Sequence, residues 1–279
     1  MYISIDLGGT NTRVASSTDL KSISEQIKVE TLQNVVLEKN LIRECIEEFS
    51  AGEEIKGICI GVPGFVKKDE KKLGKIVNIP SFSNLSYTEV VGALVSEDNI
   101  LAENDATLAS LGEAVLGAGK DYEVVAYLTL STGVGGARIS GKRIDPHQNY
   151  AEPGHMIIEE DGRECELCGQ KGCLSAYTSG TSFESVYGVK PSDCEDQDIW
   201  NRYAEKLSLG IINIMADWGP DVIVLGGSIS KKFENFFKKP LLEELSQQKF
   251  FEVPPIIRAE LGDNSGIIGG FILLEQSGF

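Results

Sequence analysis

Two short apolar strands, each running into a glycine turn and a return strand, recur in the two halves of this chain. That repetition restricts the folds open to it. Residues 2–7 alternate apolar and polar and reach Gly8-Gly9, and Val14-Ala15 reads as the start of the return strand. Residues 124–130 form a second buried strand, which reaches Gly133, Gly135 and Gly136 and is followed by a hairpin through Gly141. Helical spacing appears at 34–50, where Val35, Leu37, Leu41, Ile42, Cys45, Ile46 and Phe49 recur at helical intervals. It appears again at 104–117, at 196–217, and from 266 to about 276. Further apolar strands fall at 55–60 and 222–225. Strands and helices therefore alternate in two similar halves, which predicts an α/β protein of two domains. The expected division is 1–115 plus a returning C-terminal helix 266–279, and 116–265.

Composition removes several function classes. The 279 residues carry 26 Lys and Arg against 42 Asp and Glu, a formal net charge of −16. Such a surface repels nucleic acid and anionic membranes, so neither is expected as a partner. A phosphate-bearing ligand stays possible where backbone N–H groups and Mg²⁺ hold it. The lysines at 67, 68, 71 and 72 read as a solvated hairpin tip. No apolar run reaches membrane-spanning length, and the first residues lack the basic flank and apolar stretch of a signal peptide. The expected compartment is the cytoplasm, where thiols stay reduced.

That matters for the cysteines. The run E-P-G-H at 152–155 and C-E-L-C-G-Q-K-G-C at 165–173 places His155, Cys165, Cys168 and Cys173 close together. Three thiols and an imidazole are the ligand set of a structural zinc site. Gly169 and Gly172 let the backbone turn between the last two thiols. The competing reading is a redox pair or a cluster of buried cysteines. The C-x₂-C-x₄-C spacing with an upstream His favours zinc. Glu152 reads as a polar group beside the metal, outside its ligand set.

Four other segments carry chemistry. D-L-G-G-T-N-T-R spans Asp6 to Arg13, a Gly-Gly-Thr turn that can present N–H groups to an anion, with Asp6 placed to hold a hydrated Mg²⁺. An ordinary hairpin is the alternative. L-T-L-S-T-G-V-G-G, at 128–136, lacks the following helix that a dinucleotide fingerprint needs and fits a second phosphate-binding hairpin. V-I-V-L-G-G-S, at 222–228, delivers a flat Gly-Gly edge to a base or ribose, or simply turns from strand to helix. E-N-D-A, at 103–106, puts Asn104 and Asp105 at a helix start, where either residue can be a cap and Asp105 can be a general base.

Taken together these segments resemble the ROK family of sugar kinases, in the actin-like ATPase superfamily, over nearly the whole chain. The resemblance implies two actin-like (ribonuclease H-like) domains with a cleft between them and a zinc-knuckle loop at 152–175. It implies ATP on two phosphate loops and an adenosine loop. The first loop supplies Asp6, Gly8, Gly9, Thr10, Asn11 and Arg13; the second supplies Thr132, Gly133 and Gly135; the adenosine loop supplies Gly226 and Gly227. It implies Asp105 as catalytic base with Asn104 on the sugar. G-V-P-G at 61–64 and N-I-P-S at 78–81 would be sugar-facing loops, with Gly64 and Asn78 at the substrate. Glu152 and His155 would also bind sugar, and His155 would ligate structural Zn²⁺ as well. The partners so implied are a hexose, ATP with Mg²⁺, and a second copy of the chain.

Two departures from the family pattern stand out. The family spaces its first two cysteines as C-x-C, and this chain has C-x₂-C. The family carries a sugar-binding Glu two residues after its last cysteine, and here that position is Ser175. The activity expected is phosphorylation of glucose or a close relative at its 6-hydroxyl. The alternatives are a kinase for N-acetylmannosamine or N-acetylglucosamine, a non-catalytic sugar-binding protein, and a sugar-responsive repressor. The last needs a basic helix-turn-helix segment, whereas this acidic chain opens on the first phosphate-loop strand.

Overall fold

The computed structural model describes residues 1–76, 78–146 and 151–279. They form two compact units, one of Met1–Val115 with Asn264–Phe279, the other of Leu116–Asp263.

The first unit is built on strands β1 (Tyr2–Leu7), β2 (Asn11–Ser17), β3 (Glu25–Glu30), β4 (Gly57–Val62) and β7 (Ile100–Asn104), in the order β3-β2-β1-β4-β7. β1, β2 and β3 pair antiparallel; β4 lies parallel to β1, and β7 parallel to β4. A separate hairpin joins β5 (Gly64–Lys67) to β6 (Lys72–Ile76). β4 is buried at every residue, as a strand covered on both faces must be. The helices are α1 (Val35–Ser50), α2 (Tyr87–Val91), α3 (Asp105–Val115) and, from the far end of the chain, α8 (Ser265–Gln276). Asn34 caps α1, its Oδ1 accepting from Val36 and Leu37 N–H, and Ala51 ends it in the left-handed region. α8 returns to pack on α3, β1 and β4. A methyl added to Gly269 would lie 1.8 Å from Leu108 O, so the two helices approach at a distance only glycine permits.

The second unit repeats this plan. β8 (Val124–Leu130), β9 (Val134–Ser140), β10 (Arg143–Ile144), β11 (Val222–Gly226) and β12 (Ile256–Arg258) lie in the order β10-β9-β8-β11-β12. The first three are antiparallel and the last two parallel to β8 and to each other. Short helices α4 (Ser175–Thr178) and α5 (Gly180–Tyr187) follow the cysteine loop. The long α6 (Gln197–Trp218) and α7 (Lys238–Gln247) complete the unit. α6 is capped by Asp196 and buries Trp200, Tyr203, Leu207, Ile211, Ile214 and Met215. Phe183, Trp200, Tyr203 and Phe237 form an aromatic centre, with Trp200 and Phe237 stacked at 5.4 Å.

The lysine-rich hairpin tip is solvated as the sequence suggests, with Lys67, Lys68 and Lys72 exposed, and two of its cations are also paired. Lys68 Nζ donates to Glu103 Oε2 at 2.5 Å, and Lys71 pairs with Asp98. Glu103 is buried, and an unpaired buried carboxylate would be costly, so Lys68 is drawn onto it.

Candidate functional site

In the first unit, β1 and β2 are joined by the tip Gly9-Thr10. Gly8 N–H donates to Asn11 O at 3.0 Å and closes the turn. Asp6 and Arg13 face each other across the pair, and Arg13 donates to Asp6 Oδ2 at 3.0 Å. Their side chains are only 17% and 14% exposed, so this ion pair holds the base of the turn better than a surface pair would. A methyl on Gly266, at the start of α8, would come within 3.7 Å of the Asp6 carboxyl carbon. Asn78 packs on the turn itself, its Cβ 2.7 Å from where a Gly9 side chain would begin. Gly9 of the glycine turn and Asn78 of the N-I-P-S segment therefore share one place.

At the junction of β7 and α3, Asn104 Oδ1 accepts from Thr107 N–H at 3.0 Å, while its Nδ2 donates to Gly64 O at 3.3 Å. Asn104 is thus the cap, and it ties Gly64 to the helix start. Asp105 is the first residue of α3, with Oδ1 accepting from the N–H of Ala106 at 2.8 Å. Behind them, Glu103 Oε1 accepts from Asn104 N–H at 2.9 Å while Oε2 holds Lys68. The sequence pattern gave no sign of that brace, because Lys68 and Glu103 lie 35 residues apart.

In the second unit, the turn after β8 is closed by Ser131 N–H on Gly133 O at 3.0 Å. Thr132 O accepts from the hydroxyl of Thr181 at 3.1 Å, and Gly180 N–H donates to Ser131 O at 2.7 Å. The start of α5 therefore clasps this loop, another contact that spacing alone did not reveal. Gly135 lies in β9, paired with Thr129. Gly226 and Gly227 end β11. Any side chain at Gly226 would strike the Tyr127 hydroxyl, and one at Gly227, where φ is +81°, would strike Leu130 O. The glycine edge is packed tightly against β8, the strand that delivers Thr132.

Glu152, Pro153, Gly154 and His155 form a short turn seated on β9. A methyl on Gly154 would lie 2.1 Å from Val134 O and 2.5 Å from Ser175 Oγ, so Ser175 abuts this turn. Ser175 is buried, and its hydroxyl has no hydrogen-bond partner. Burial pushes the half-buried Glu152 carboxyl up to about 7. Burial also lowers the pKa of His155, whose Nδ1 is buried without a partner. An orphaned imidazole nitrogen held neutral is the state a metal requires.

Among the described residues, ligand atoms of His155, Cys168 and Cys173 lie within 4.8 Å of one another. Cys168 Sγ and Cys173 Sγ are 3.9 Å apart, close to the roughly 3.8 Å that tetrahedral Zn–S bonds of about 2.3 Å demand. Cys165 stands outside that tight group but is buried beside Cys173. Burial foremost, with Cys165 contributing, pushes the Cys173 thiol up to about 12. The loop turns tightly: Cys165 N–H donates to Gln170 O and Gly169 N–H to Cys165 O, both at 2.8 Å. Gly172 has φ +73°, and a side chain there would meet Glu159 O at 1.7 Å. Tyr177 buttresses the loop: its hydroxyl accepts from Arg163 N–H at 2.7 Å, and the Arg163 and Lys206 cations each lie 5.1 Å from its ring centre.

The chain is similar to known sugar kinases along nearly its whole length. A glucokinase of Thermotoga maritima is 27% identical, aligned over 98% of this chain and 97% of that protein. An N-acetyl-D-glucosamine kinase of Vibrio atlanticus is 28% identical over 98% and 99%. Among solved structures, the ROK hexokinase of Thermus thermophilus superposes with a TM-score of 0.79 at 26% identity, covering 99% of both chains. A ROK glucokinase of Streptomyces griseus, solved with glucose and AMPPNP, shares the fold with a TM-score of 0.80 at 22% identity. The profile of the ROK family matches residues 2–277, and the chain belongs to that family.

Proposed function

We propose that this protein is an ATP-dependent sugar kinase that phosphorylates the 6-hydroxyl of glucose or a close relative. The observation that carries the reading is the division of labour at 104–105. Asn104 caps α3 and ties down Gly64, so Asp105 is not required as the cap and can serve as the general base, with its Oδ1 oriented by the Ala106 N–H. Asp105 takes the proton of the 6-hydroxyl as that oxygen attacks the γ-phosphorus of ATP. The bond to the β-phosphate bridging oxygen breaks, and ADP leaves with that electron pair.

Asn104, Asn78, Gly64, Glu152 and His155 hold and orient the sugar. The turns at Gly8–Asn11 and Thr132–Gly135 offer backbone N–H groups to the phosphates, and the Gly226-Gly227 edge accepts the adenosine. Bound Mg²⁺ supplies charge neutralisation at the phosphates, with Asp6 as its protein carboxylate and Arg13 holding Asp6 in place. His155, Cys165, Cys168 and Cys173 are the ligands proposed for a structural Zn²⁺. The orphaned Nδ1 and the sulfur spacing support this fit. The family resemblance also supports a homodimer, which sedimentation would reveal.

A second reading is favoured by Ser175. A small, unpartnered residue stands where the family pattern has a sugar-binding glutamate, and a smaller side chain there suits a sugar that carries an N-acetyl group. The deciding experiment supplies ATP and Mg²⁺ with glucose, mannose, N-acetylglucosamine and N-acetylmannosamine in turn, and measures ADP release. The highest kcat/KM names the sugar. ADP release with none of them, while one still binds, would replace the kinase with a sugar-binding protein.

A further inference from the structure

We propose that Glu38 is a positioning residue for the phosphate-binding turn of the first unit, acting through Thr12 and Thr31. This rests on the reading of Gly8–Asn11 as a phosphate loop and deepens it.

Glu38 lies in the first turn of α1 and is fully buried. It stands out on that helix. The same buried face carries Ile42, Cys45, Ile46 and Phe49, and an apolar residue would complete the stripe. A buried carboxyl group costs folding free energy unless its oxygens are bonded. Here they are: Oε1 accepts from Thr12 Oγ1 at 2.5 Å, and Oε2 from Leu32 N–H at 2.7 Å. Thr12 and Thr31 are themselves buried, and their hydroxyls lie 3.0 Å apart. Thr31 Oγ1 then donates to Gly8 O at 2.7 Å, and Thr31 N–H to Thr10 O at 3.0 Å.

The chain of contacts runs from a buried carboxyl to two carbonyls of the turn. Its consequence follows from peptide geometry. A trans peptide points its C=O and the next N–H in opposite directions. Pinning Gly8 O against Thr31 therefore sends Gly9 N–H away from Thr31. Holding Thr10 O on the same residue keeps a second carbonyl from facing an incoming anion. Glu38 fixes Thr12, Thr12 and Thr31 pack hydroxyl to hydroxyl, and Thr31 sets the orientation of the tip. A polar network that breaks the apolar pattern of a core helix, and that terminates on a ligand turn, is accounted for by such a duty.

The test compares the parent with Thr31→Val, Thr31→Ser and Glu38→Met. Titration calorimetry gives Kd for a non-hydrolysable ATP analogue with Mg²⁺ and, separately, for the preferred sugar; a thermal melt reports folding. Thr31→Val keeps the volume and removes only the hydroxyl. The expected result is nucleotide Kd raised about tenfold in Thr31→Val and at least as much in Glu38→Met. Sugar Kd should stay within twofold, and Thr31→Ser should restore nucleotide affinity. Folded Thr31→Val protein with parental nucleotide affinity overturns the proposal, as does a parallel loss of nucleotide and sugar binding. If the parent binds sugar but no nucleotide, the phosphate-loop reading itself fails.

Discussion

At Asp105, two roles that a sequence cannot separate come apart. Asp and Asn are both good helix caps, so E-N-D-A left the capping residue open. The bond from Thr107 N–H to Asn104 decides for Asn104. Asp105→Asn should therefore leave the thermal midpoint nearly unchanged and lower kcat by about 10²-fold or more. A kcat within a fewfold of the parent would return Asp105 to a structural role. Ser175 makes the complementary case. Its buried hydroxyl lies against the Glu152–His155 turn, so Ser175→Glu should alter sugar KM by about tenfold or more, while ATP KM stays within twofold. Equal KM values for every sugar in both proteins would place position 175 outside the pocket. Glu152 adds a pH dependence. Its folded pKa of about 7 lies above the ordinary carboxyl value of 4.5, so the native state holds an extra proton between those values. Stability contributed by this group is full below about pH 4.5 and lost as pH rises through 7. Sugar hydroxyls donate to the ionised form, so sugar affinity should rise with pH, by about tenfold from pH 6 to well above 7. Glu152→Gln should flatten that profile; a steep profile in the Gln variant would assign it to another group.

At the scale of elements, long periodic segments were readable and short or cross-linked ones were not. α1 and α6 are long enough for the 3.6-residue period to show, and their caps, Asn34 and Asp196, sit where the pattern begins. α2 and α4 have five and four residues, too few to display any period. The partners Glu38–Thr12 and Lys68–Glu103 are 26 and 35 residues apart, and such pairs leave no trace in local spacing. The clustering of His155, Cys168 and Cys173 was legible because these few residue types recur at short range in the loop. Ser175 was visible only as a departure from a family pattern, and its burial came from the structure. This loop has one clear expected behaviour. Purified protein should contain about one zinc per chain. Chelation should lower the thermal midpoint and weaken sugar binding more than nucleotide binding, since the proposed zinc would join the turn bearing Glu152 and His155 to the loop. Metal-free protein with unchanged stability and sugar affinity would show that the thiols serve packing alone.

At the scale of the molecule, one sheet plan is used twice. In each unit three antiparallel strands are extended by two parallel ones, and the turn after the first strand carries glycines. The first unit differs in taking its last helix from the chain's far end. α8 covers β1 and β4, the strands that lead to the Gly8–Asn11 turn and to Gly61–Gly64, and it packs on α3, which begins with Asp105. Completion of this unit therefore depends on a contact made by residues at opposite ends of the sequence. One tight point in the packing of α8 is Gly269 against Leu108 O. Alanine is the better helix former by about 1 kcal/mol, so an exposed Gly→Ala change would be stabilising. Here the added methyl would lie 1.8 Å from a carbonyl oxygen and force the helices apart, an overpacking cost of about 1–3 kcal/mol or more. Gly269→Ala should therefore lower the thermal midpoint despite its higher helix propensity. Hydrogen exchange locates the effect. Amides of β1, β4 and α3 should lose protection, while those of β8, β11 and α6 keep theirs, because α8 belongs to the first unit. A raised midpoint would mean that the helices relax at no cost. Equal loss of protection in both units would mean that the two units open as one.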